Sequence, residues 1–126
     1  IQASAKTLYH AASVIACNYM VALQELALQT YAQAGVERSQ ALAILKPIVT
    51  TTVQAIFQLD TAPALTGPIA RGDSVVVDRQ IQALQAWNPD YAELYQGIAR
   101  GLAQQTGQRN PHLCQILQHS LKSDAV

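Results

Sequence analysis

From Leu8 to Leu23 the chain is apolar or small at nearly every position, interrupted only by His10, Ser13 and Asn18. Ala, Leu, Gln and Met dominate the surrounding stretch, and all are good helix formers. The pattern predicts one long helix from about Ala3 to Ala34. Gly35 and then Val36 close it, the order of a left-handed glycine cap followed by its apolar contact. A helix that is apolar on every side belongs inside a protein. A second helix is expected from Ser39, read as its N-cap, to about Leu59. Pro47 lies inside it and lacks an N–H, which predicts a kink. The β-branched run Thr50, Thr51 and Thr52 weakens the next turn further.

Between Asp60 and Gly72 the apolar period breaks down. Pro63, Gly67, Pro68 and Gly72 all fall there, so a loop without regular structure is expected. Asp73 then reads as an N-cap for a helix from Ser74 to Ala86, with Val77, Ile81 and Leu84 as its buried stripe. The triplet Val75-Val76-Val77 also allows a short strand. Asn88 and Pro89 form a cap-plus-proline start for a helix that runs to Thr106 and stops at Gly107. Asn110 and Pro111 repeat that start for a last helix over about His112 to Leu121. Leu113, Ile116, Leu117 and Leu121 lie on one side of it, and the final residues are expected to fray. The expected class is all-α: one domain of about five helices bundled around a long central first helix.

Composition changes this picture in one respect. Of 126 residues, 50% are apolar but only 13% are charged, about half the usual charged share. So little charge implies that part of the outside is covered by another domain or subunit. Lys plus Arg and Asp plus Glu both number 8, which provides no basic face for nucleic acid or an anionic membrane. The run from Leu8 to Leu23 is short of the ~20 residues a span needs and carries polar groups, so a buried soluble helix is expected in place of a membrane span. Cys17 and Cys114 read as reduced, buried thiols of a cytoplasmic protein. With no initiator Met, signal peptide or glycine-rich phosphate loop, the chain reads as part of something longer.

Lys6 and His10 are four apart and share a helix face. Such a pair can polarise a carbonyl and move a proton. The plain alternative is a solvated first-turn lysine beside a hydrogen-bonded interior histidine. Asn18, about 80° around an α-helix from His10, either contacts the same cleft or bonds a neighbouring helix. Cys17 stands about 10 Å from His10 along the axis, too far for a nucleophile pair. His10, His112 and His119 have no metal-ligand spacing. Gly97 and Gly101 leave one helix face without side chains, which points to close approach of another helix, within the fold or across a dimer. Arg71 is either a clamp for a carboxylate or phosphate or a surface residue.

The segments Leu8-Tyr9-His10-Ala11-Ala12, Cys17-Asn18-Tyr19, Ala34-Gly35-Val36 and Leu65-Thr66-Gly67-Pro68-Ile69-Ala70-Arg71-Gly72-Asp73 together resemble the C-terminal helical domain of Rossmann-like reductases. That group is similar to ketopantoate reductase and to the helical domains of 6-phosphogluconate and β-hydroxyacid dehydrogenases. The resemblance implies a domain that closes a substrate cleft and forms a homodimer. It implies NADP or NAD held mainly by an N-terminal domain outside this chain, and a small carbonyl or hydroxy-acid substrate. In the dehydrogenases the first helix carries Lys-x-x-x-Asn, with the lysine as acid/base. Lys6 fits that pattern and His10 replaces the asparagine. The implied catalytic residues are Lys6 and His10, with Asn18 and Arg71 holding substrate; no metal is implied. A non-catalytic dimerisation or ligand-sensing module is the other reading.

Overall fold

A computed structural model describes residues 2–119. Every regular element among them is helical: α1 (Ala3–Gln33), α2 (Arg38–Leu59), α3 (Thr61–Ala64), α4 (Pro68–Arg71), α5 (Ser74–Trp87), α6 (Pro89–Thr106) and α7 (Pro111–Gln118). The all-α expectation holds, and Val75–Val77 are helical. Leu121 and the final turn expected around it lie outside the described residues. The chain divides into two compact units, Ile1–Thr51 and Thr52–Val126.

In the first unit α1 ends as its sequence predicts. Gly35 takes φ 91°. Val36 N–H donates to Tyr31 O at 2.9 Å, and Gly35 N–H donates to Ala32 O at 3.0 Å. That pair of bonds is a Schellman cap. The second helix begins at Arg38, so Ser39 sits in its first turn and is not the cap. The tight cap brings the chain around early enough for Arg38 to reach back to α1. Its guanidinium pairs with Glu25 through both nitrogens, at 2.8 and 3.2 Å. The second helix then runs unbroken through Pro47 to Leu59.

The first unit departs from expectation in its burial. Leu28 and Ala41 are its buried apolar residues, while Leu8, Ile15, Tyr19 and Val21 are all more than half exposed. Within the first unit, therefore, α1 is not enclosed. Cys17, expected inside, is exposed for the same reason; both cysteines are free. By length and composition α1 and α2 are each long and apolar enough to cross a membrane.

The second unit builds an ordinary core. Ile69, Val77, Ile81, Ala99, Ala103, Leu113 and Leu117 form one buried cluster. The expected stripe of α5 is present, since Val77, Ile81 and Leu84 are all buried. The three helix starts read from the sequence in this unit are capped as expected. Asp73 accepts from Val76 N–H, Asn88 from Tyr91 N–H, and Asn110 from His112 and Leu113 N–H. Gly107 ends α6 in the left-handed conformation. Among the described residues nothing approaches Gly97 or Gly101 closely. A Cβ at Gly101 would meet nothing within 4 Å, and one at Gly97 would meet only the Arg100 guanidinium at 3.7 Å.

The segment expected to be irregular contains two single-turn helices. Asp60 caps the first by accepting from Thr61 N–H at 2.6 Å. Its backbone sits at φ 75°, ψ 170°, a region that costs a non-glycine residue on the order of 1–3 kcal/mol. Pro68 stands at the first position of the second turn, after Gly67, and Gly72 closes it at φ 68°. The same prolines and glycines that ruled out a long element are the residues that start and stop short ones.

Candidate functional site

One candidate, in the first unit, is the surface of α1. Lys6, His10 and Asn18 are all exposed, so His10 is not the interior group that the plain alternative expected. None of the three side chains makes a hydrogen bond or ion pair among the described residues. Their arrangement is nonetheless specific. Residues Val14–Asn18 form a π turn inside the helix, and Tyr19 N–H donates to Val14 O across it. A π turn holds about one residue more than an α turn. It therefore winds the helix back by about 100°, and Asn18 moves from about 80° away to within about 20° of the His10 line. Lys6, His10 and Asn18 then run along one face, with Asn18 about two turns beyond His10. Single π turns within α-helices occur frequently at functional sites. Cys17 is displaced from that line by the same rotation.

A separate candidate, in the second unit, is the turn that carries Arg71. Its guanidinium is exposed and has no partner among the described residues. The backbone beneath it is fixed from two sides. Gln108 Nε2 donates to Ile69 O at 2.8 Å and to Ala70 O at 3.3 Å. Asn110 Nδ2 donates to Gly72 O at 2.9 Å. The Gln108 carbonyl oxygen in turn accepts from Arg109 and Asn110 N–H, both at 2.9 Å. A Cβ at Gly72 would come within 3.2 Å of the Gln108 amide, so the close approach and the positive φ both require glycine there. Two carboxamides thus position the presenting turn of Arg71. Asn110 is legible as a helix cap, but its second bond is not. Gln108 has no local signal at all, because its partners lie 38 and 39 residues away.

Beside the start of this segment is a cavity of about 360 Å³, walled by Ile56, Leu65, Thr66, Leu102 and Thr106 among others. Arg71 is not on its wall. The structure brings Lys6, His10 and Asn18 onto one helix face, and it places Arg71 on a separately braced turn of the second unit. No group of three or more His, Cys, Asp or Glu side chains among the described residues is arranged to hold a metal ion.

The family model for a domain of unknown function, DUF2520, matches residues 1–102. The chain belongs to that family. The match covers the α1 face and the Arg71 turn, and it ends before the braces Gln108 and Asn110. No curated protein and no solved structure matches the chain.

Proposed function

We propose that this member of the DUF2520 family is the substrate-cleft and dimerisation domain of an NAD(P)-dependent oxidoreductase acting on a small carbonyl or hydroxy-acid substrate. The observation that carries the reading is the π turn, which sets a lysine, a histidine and an asparagine on one exposed helix face. An ammonium and an imidazole one turn apart suit proton exchange with a substrate oxygen. A nicotinamide held by an N-terminal domain supplies the hydride in this reading. Lys6 or His10 gives or takes the proton at the substrate oxygen. Asn18 and Arg71 are the residues this reading assigns to polar groups of the substrate, with Arg71 suited to a carboxylate. The localisation that goes with this reading is the cytoplasm.

The dimer is part of the proposal. The exposed apolar residues of α1 and α2 need cover, and a second copy offers a matching surface. The open face at Gly97 and Gly101 is a further place for a helix of that copy.

The test is hydride transfer in the complete protein with Lys6→Met and His10→Phe. Positioned acid–base groups contribute about 10²- to 10⁴-fold, so a fall of that order in kcat is expected from at least one variant. Transfer unchanged in both would remove the α1 face from the chemistry. The bare apolar surface of the first unit equally suits a non-catalytic dimerisation or ligand-sensing module. The coding sequence upstream of Ile1 separates the two readings: a strand, a glycine-rich turn and a helix there support the enzyme.

A further inference from the structure

A cleft of about 610 Å³ opens among α5, α6 and α7 of the second unit, and neither Arg71 nor its braces Gln108 and Asn110 line it. That volume is in the range of small-molecule sites. From α5 it is lined by Asp78, Gln82 and Gln85, and from α7 and the capping residue after it by His112, Gln115 and His119. Both sets follow the spacing of a single helix face. The cleft is fixed by a buried side chain between them. Gln96, only 3% exposed, donates through Nε2 to Ile116 O at 2.8 Å and His119 O at 2.6 Å. Arg100 adds a bond to Leu117 O at 2.9 Å. The last carbonyls of α7 are thereby tied to α6, so both histidines ride on an anchored helix.

The chemistry of the lining is one-sided. Among the described residues, Asp78 is the only Asp, Glu, Lys or Arg on the wall. One of its oxygens accepts from Gln82 Nε2 at 2.8 Å. The Gln85 Oε1 atom is buried and has no hydrogen-bond partner among the described residues. A buried acceptor without a donor is destabilising, and no described residue donates to this one. A carboxylate and an unpaired amide oxygen, with no lysine or arginine on the wall among the described residues, suit a ligand rich in N–H donors and repel an anion.

We propose that this cleft binds a small organic cation, an ammonium or guanidinium compound, with Asp78 as its counter-charge and Gln85 Oε1 as a hydrogen-bond acceptor. The site is independent of the oxidoreductase reading.

The experiment is a nuclear magnetic resonance titration of the full chain, following the side-chain amides of Gln82 and Gln85, with agmatine as probe and succinate as the anionic control. Agmatine is expected to shift both amides saturably and succinate is not. Asp78→Asn is expected to weaken agmatine about tenfold or more, the loss of a charge-assisted contact. Gln85→Glu is expected to tighten it, a gain that misfolding cannot imitate. A response that never saturates, an equal response to succinate, or unchanged affinity in Asp78→Asn would overturn the proposal.

Discussion

The two units are built from similar apolar residues and use them in opposite ways. In the second, leucines, isoleucines, alanines and a valine from four helices converge on one cluster, and Val77 and Leu113 are 0% exposed. In the first, residues of the same type stand in the open: Leu8 is 75% exposed and Val21 is 70% exposed. Two helices joined by a tight cap offer each other only a narrow seam, which Leu28 and Ala41 fill. Apolar content therefore does not tell how much core a segment forms. The number of elements available to cover it does. The second unit has several helices to fold over one another, and the first has a hairpin whose outer surfaces need something else.

This contrast makes the same kind of substitution behave differently in the two units. Leu113→Ala empties a fully buried position and is expected to cost about 2–5 kcal/mol in denaturant unfolding. Val21→Ala is expected to change the unfolding of an isolated chain by less than about 0.5 kcal/mol. A large loss from Val21→Ala that depends on protein concentration would show the first unit melting together with a partner. Equal and concentration-independent losses at the two positions would remove the distinction between the units.

The brace beneath Arg71 comes next in size. Gln108→Ala removes both donors from Ile69 and Ala70 carbonyls and is expected to cost about 1–3 kcal/mol. Hydrogen exchange checks it: the amides of Arg71, Gly72 and Asp73 should exchange faster, while those within α5 should not. Uniformly faster exchange across the second unit would mean that Gln108 supports the core and not the turn.

The smallest effect is a pH dependence. Burial pushes the Tyr95 phenol above its ordinary value of 10.0, and its hydroxyl donates to Gln80 Oε1. A raised pKa means that the folded state holds the proton more tightly than the unfolded state. This contribution is complete below the unfolded value and is lost as pH rises through the folded one. Stability should therefore fall at high pH, and Tyr95→Phe should flatten that fall. An identical alkaline profile in the variant would contradict the assignment.

Local chemistry made much of the fold legible. Asp73, Asn88 and Asn110 act as caps, Gly35 and Gly107 as stops, and Val77, Ile81, Leu113 and Leu117 as core, because each signal is contained within a few neighbouring residues. Ser39 was misread because the Schellman cap at Gly35 starts α2 earlier than a serine cap would. The turns at Thr61–Ala64 and Pro68–Arg71 were hidden because their prolines and glycines also exclude longer helices. The enclosure of α1 was inferred from composition, which reports that cover is needed and not where it comes from. In the candidate site, Lys6, His10, Asn18 and Arg71 stand out by residue type. The π turn that aligns three of them has no local signature, and Gln108 acts across 38 residues or more.

Light scattering from the protein at micromolar concentration tests most directly whether a second copy covers the first unit. The account predicts a mass twice that of one chain. A well-folded monomer at that concentration would contradict it.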